Sequence, residues 1–190
     1  VVVSARSGAI ELTSGASNVF LGDYVAACVT SGGYNIALGR NAGRNMTTGS
    51  ENIFLGSCAG GTGTVTGTGY NIAIVCHAAL NLTDGEDNIF LGRKAGEQTT
   101  ACDRNVFIGK YAGRCNDGAE NILIGECAGR GSSTVADNTG DNNVLFTTPS
   151  NEPSDVRVIQ LVLLHSTLWL RKFFFVRDFF SSFPFHLREN

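Results

Sequence analysis

The sequence predicts an all-β fold, a parallel β-solenoid or β-roll of about eight 17-residue coils, and three observations carry that prediction. An Asn returns at positions 18, 35, 52, 71, 88, 105, 121 and 143, at spacings of 17, 17, 19, 17, 17, 16 and 22. Fixed columns of similar residues accompany each Asn. All 24 glycines lie at or before Gly140, many at constant offsets from the Asn, as tight corners require.

Counting from each Asn as zero, position +1 is Val19, Ile36, Ile53, Ile72, Ile89, Val106, Ile122 and Val144, a wholly β-branched column. Position +3 is Leu21, Leu38, Leu55, Ile74, Leu91, Ile108, Ile124 and Phe146. Strand side chains alternate, so these two columns share one face, and their hydropathy marks that face as the expected core. Gly22, Gly39, Gly56, Gly92, Gly109 and Gly125 at +4 mark a corner, with Val75 as the exception. Small residues at +7 (Val25, Ala42, Ala59, Ala78, Ala95, Ala112, Ala128), mostly followed by Gly, mark a second corner. Six residues before an Asn stand Leu12, Val29, Met46, Val65, Leu82, Thr99 and Cys115, each but the last followed by Thr; a second, shorter extended segment is expected there. The stretches at 60–69 and 130–142, rich in Gly, Ser, Thr and Asn, lengthen their coils as loops.

A unit of this size cannot bury its own apolar face and becomes stable only when copies stack. Stacking sets each column above itself at about 4.8 Å per coil. The Asn can then hydrogen-bond its own kind or a corner backbone in every coil.

Position +2 is expected to point away from this core. It reads Phe20, Ala37, Phe54, Ala73, Phe90, Phe107, Leu123 and Leu145, with no polar member. An exposed apolar stripe of that extent calls for a cover, and sister chains around an axis parallel to the rod bring identical rungs to identical heights. These eight residues are therefore expected to form the subunit interface of side-by-side copies; two-fold packing is permitted, and a homotrimer buries a narrow stripe on each chain most economically.

The units NVFLGDYVA, NIALGRNAGRNMTTGSEN and NIFLGSCAG resemble the N-x-A-[IL]-G-x-x-A-G repeats of bacteriophage and cyanophage tail-fibre proteins and bacterial surface proteins. They resemble more distantly the shorter repeats of YadA-like trimeric autotransporter heads. The resemblance spans roughly residues 12 to 147. It implies a trimeric, extracellular adhesive rod on a virion or cell surface. The longer period, and the lack of an autotransporter stalk or anchor after the repeats, favour the fibre branch.

Beyond the solenoid domain, 1–147, the prolines at 149 and 153 suggest a linker over 148–155. The segment 156–190 holds 7 of the 12 Phe and reads as an apolar cap or packing element for the end of the rod. Its apolar run from Val158 to Leu170 is too short for a membrane helix.

A net charge of −3 with 16% charged residues offers no electrostatic track for nucleic acid. The histidines at 77, 165 and 186 lack partners at informative spacing, and no metal, cofactor or catalytic site is expected. Of the six cysteines, Cys58 and Cys76 are the one pair that the coil register brings within reach of an intrachain disulfide. The outer corner carries Asp23, Arg40, Asn41, Arg44, Arg93, Lys94, Lys110, Arg114, Glu126 and Arg130, a shallow polar surface suited to a cell-surface glycan or protein receptor. The expected function is thus a structural and adhesive fibre domain. The alternative is an ice-binding β-solenoid that uses the Thr column at 13, 30, 47, 66, 83 and 100.

Overall fold

The computed structural model describes residues 2–3, 13–63, 69–130, 140–148, 157–161 and 175–176. It is an all-β parallel solenoid. Strands β1 (Val2–Val3), β2 (Val19–Leu21), β3 (Ile36–Leu38), β4 (Ile53–Leu55), β5 (Ile72–Ile74), β6 (Ile89–Leu91), β7 (Val106–Ile108), β8 (Ile122–Ile124) and β9 (Val144–Thr148) stack in chain order as parallel neighbours. The register matches the columns rung for rung: Ile36 pairs with Ile53, Ala37 with Phe54, Leu38 with Leu55. Strand β1 adds a rung ahead of the first of the eight Asn, with Val2 paired to Phe20 and Val3 to Leu21. At the other end β10 (Arg157–Leu161) pairs antiparallel with β9, and β11 (Phe175–Val176) antiparallel with β10, so the parallel ladder is closed by reversed strands. The predicted loops at 60–69 and 130–142 fall partly outside the described residues, as do most of 148–155 and 156–190.

The expected second strand is absent from the described coils. The segments around Thr30 and Thr47 run as bends. They still carry ladder bonds, for the Thr30 N–H donates to the Thr47 carbonyl at 2.9 Å. One three-residue strand per coil and a string of turns suffice because the hydrogen bonds run between coils.

The two faces of the strand are reversed relative to the sequence expectation. Phe20, Ala37, Phe54, Ala73, Phe90, Phe107 and Leu123 are buried in the single chain, each at 2% exposure or less, and Leu145 packs against the same cluster. The +1 and +3 columns face outward, Val19 at 43% and Leu21 at 51%. The +2 residues therefore cannot form a subunit interface; they are the core. The physical reason lies in the Asn. Position 0 has the same strand parity as +2, and Asn35, Asn52, Asn71, Asn88, Asn105 and Asn121 are fully buried. Each side-chain oxygen accepts the next Asn's backbone N–H, as Asn18 does from Asn35 at 2.8 Å and Asn35 from Asn52 at 2.9 Å. The Asn35 amide donates to the Gly49 carbonyl and that of Asn88 to the Cys102 carbonyl, at 2.8 and 2.7 Å. A polar ladder satisfied in this way stabilises a buried position, whereas unpaired amides there would be costly.

Opposite the strand, Ala42, Ala59, Ala78, Ala95, Ala112 and Ala128 line the inner wall. Two glycines show why the corners need small residues. Gly39 has φ +130° and a Cβ on it would meet the Gly56 carbonyl oxygen at 2.7 Å; Gly60 has φ +55° and its Cβ would meet the Phe54 ring at 2.8 Å. Positive φ also recurs at non-glycine corners that the sequence does not flag. The residue before each Asn, from Ser17 and Tyr34 to Glu120 and Asn142, has φ between 55° and 60°. Position +6 does the same, from Tyr24 at 50° to Lys94 at 63°. Such backbones persist only where surrounding structure over-determines them, as hydrogen bonds to the coils above and below do here.

Candidate functional site: the outer faces of the coil

Two outer surfaces follow from this architecture. The first is the strand face. From Val19 and Leu21 at one end to Val144 and Phe146 at the other, both columns are aliphatic or aromatic, and every member is half-buried or exposed. Eight rungs make a strip about 34 Å tall, with its two columns about 7 Å apart. Tyr34 and Tyr70, 66% and 52% exposed, border it on the side of the preceding corner. The apolar surface that needs a cover thus exists, on the face opposite to the one expected.

The second surface is the basic corner, and the outer-corner residues named from the sequence do not stay evenly scattered along it. Arg93 and Lys94 follow β6, Lys110 and Arg114 follow β7, and Arg130 follows β8; stacking brings all five around Tyr111. Their charged groups lie 5.6, 5.9, 5.4, 5.7 and 4.9 Å from the ring centroid, in the order Arg93, Lys94, Lys110, Arg114, Arg130. Arg93 Nη2 also donates to the Tyr111 hydroxyl at 3.2 Å.

Two carboxylates answer part of this charge. Glu97, itself buried, accepts from Lys94 Nζ at 2.8 Å and from Arg114 Nε at 2.6 Å, while Glu126 pairs with Lys110 Nζ at 2.6 Å. Burial pushes the Glu97 carboxyl upward, but the hydrogen bonds and charges of Lys94 and Arg114 together outweigh it and hold the pKa below 4.5. Among the described residues no carboxylate lies within ion-pair distance of Arg93 or Arg130.

The remaining corner residues stand apart from this group. Arg44 lies 5.7 Å from the ring of Tyr24, and Asn41 donates to the Cys58 sulfur at 3.8 Å. Tyr111 and Glu97 were not singled out by the sequence. The available signal was Tyr111 at +6, which follows Lys110 and shares its column with Lys94.

The cysteines do not pair. Cys58 and Cys76 are free thiols, as are the other four. The coil register is the one the sequence suggests: the N–H of His77 continues the column of Cys58 and donates to the Ser57 carbonyl at 3.1 Å. Cys76 thus stacks over Ser57, one position out of step with Cys58. Burial, with the Asp117 charge adding to it, pushes the Cys102 thiol up to about 12; burial also raises Cys115. The Thr column is engaged along the rod: the hydroxyls of Thr13, Thr30 and Thr83 donate to carbonyls one coil on, at 3.0, 3.2 and 2.9 Å.

Among the described residues no group of three or more His, Cys, Asp and Glu is placed to hold a metal ion, and no helix is long and apolar enough to cross a membrane. Comparison with protein-family models, with curated proteins and with solved structures gave no match. What stands is a repetitive β-solenoid structural domain.

Proposed function

We propose that this chain is a structural and adhesive fibre domain, a rod at a virion or cell surface whose polar corners meet a glycan or protein receptor and which works without catalysis. The observation that carries the reading is the continuous aliphatic strand face, since a monomer rarely leaves a flat apolar strip of this height in water. Sister chains are its cover in this reading. A rod with identical rungs presents the same residue at each height, so parallel copies around one axis match Ile to Ile and Leu to Leu without further tailoring. Three copies close the strip around an axis, in line with the likeness of the repeats to trimeric fibres.

The ice-binding alternative is disfavoured by the Thr hydroxyls, whose protons already go to carbonyls of the neighbouring coil. Sedimentation tests the assembly. Wild type is expected at the mass of a trimer, and Leu91→Glu, at an exposed rung, is expected to give a folded monomer. A wild type that sediments as a monomer at micromolar concentration, with its strand face bare, would overturn the fibre reading.

A further inference from the structure

We propose that the corner around Tyr111 binds the sulfate or carboxylate groups of an acidic polysaccharide. This rests on the adhesive reading above and names the chemistry of the receptor. Five cations and two carboxylates leave an excess of three positive charges around one ring. Glu97 accepts from Lys94 on one oxygen and from Arg114 on the other, and among the described residues it lies beyond ion-pair distance of Arg93 and Arg130. Cations gathered within 6 Å of one centroid repel one another, and an arriving anion relieves that repulsion in addition to forming its own bonds. Arg93 and Arg130 are exposed, and guanidinium forks suit planar carboxylates and tetrahedral sulfates alike. The Tyr111 hydroxyl, already fixed by Arg93, adds a polar group that a sugar hydroxyl can meet.

Three successive coils contribute, so the cations spread over about 10 Å along the rod. That extent fits a chain with anions at intervals better than a single phosphate. Nucleic acid fits less well, because its dense phosphates would meet the exposed Glu126 within the cluster itself. Copies of the corner on sister chains would multiply a weak individual contact.

The test uses the intact chain with dextran sulfate, polygalacturonate and neutral dextran, alongside double-stranded DNA and phosphatidylserine vesicles. Expected is binding to one or both acidic polysaccharides that weakens steeply with salt, little binding to neutral dextran, and at least a tenfold loss in Arg93→Ala/Arg130→Ala. Which of the two polymers binds tells sulfate from carboxylate. The charge-matched control Arg40→Ala/Arg44→Ala, on distant coils, is expected to leave binding unchanged. Equal loss in the control, equal binding of neutral dextran, or tighter binding of DNA or vesicles through the same arginines would overturn the proposal. Sedimentation of the same samples separates the two readings: a trimer that ignores acidic polysaccharides sinks this inference alone, whereas a bare monomer sinks the fibre reading.

Discussion

The coil opened by Asn35 and the coil opened by Asn88 follow the same backbone path and fill it with different side chains. The first sets Ala37 on the strand and Met46 six residues before the next Asn; the second sets Phe90 and Thr99 at those places, and all four are fully buried. The pattern extends to Ala73 with Leu82, and to Phe20 with Val29 and Phe107 with Cys115, so a large residue at one place accompanies a small one at the other. Interiors are close-packed, and a large residue at one place is offset in part by a smaller one at the other. In the Phe90 coil the small partner can even be polar, because the Thr99 hydroxyl donates to the Asn116 carbonyl at 2.7 Å.

The strongest way to break this balance is Phe90→Ala. It empties the Asn88 coil and also removes the edge-to-face contact with Phe107, whose ring centroid is 5.4 Å away. Thermal or denaturant unfolding is expected to show a loss of about 3–5 kcal/mol. Adding Thr99→Leu, which recreates the pairing seen at Ala73 and Leu82, is expected to recover part of it; a double variant less stable than the single one would refute the volume account.

Next in size is Asn88→Ala. It strips the Asn105 N–H and the Cys102 carbonyl of their partners, at 3.0 and 2.7 Å, at a fully buried position. A loss of about 2–4 kcal/mol is expected. Asn143→Ala, at the half-buried last rung, is expected to lose about 1 kcal/mol, so urea denaturation of the pair measures how much the ladder depends on burial.

Ala37→Phe sharpens the comparison from the other side. Overpacking beside Met46 is expected to destabilise by about 1–3 kcal/mol. Combined with Met46→Val it rebuilds the Phe20 and Val29 arrangement and is expected to return close to wild type, as read from the unfolding midpoint.

The smallest effect concerns charge. At the place where the Asn88 coil carries Glu97, the Asn35 coil carries Arg44. The folded state holds Glu97 below its unfolded pKa, so it binds fewer protons than the unfolded chain; its stabilisation is complete above pH 4.5 and fades as pH falls through the folded value. The contribution is about 1 kcal/mol or less. Protection of the amides around Lys94 from exchange is expected to fall in acid more than around Asn41, and Glu97→Gln is expected to abolish the difference.

Sequence and structure agree on some levels and part on others. The period, the parallel register and the corner at Gly39 were legible because a stacked coil repeats its constraints on one column. The face of the strand was misassigned because hydropathy is degenerate here: Ile53 and Leu55 are no less apolar than Phe54. The clue that was present, the parity of Asn52 with Phe54, ran against the habit of placing polar residues outside.

By itself, then, the sequence determined which residues share a column, which of them oppose each other across the strand, and where a side chain cannot be tolerated. Alternation and excluded volume are local, and a local pattern suffices to state them. Only the tertiary structure decided which face closes inward and which charges gather at Tyr111. Both depend on the path of the chain between rungs, where left-handed corners at residues such as Tyr34 and Lys94 turn the coil around its Asn ladder and bring together side chains 17 residues or more apart.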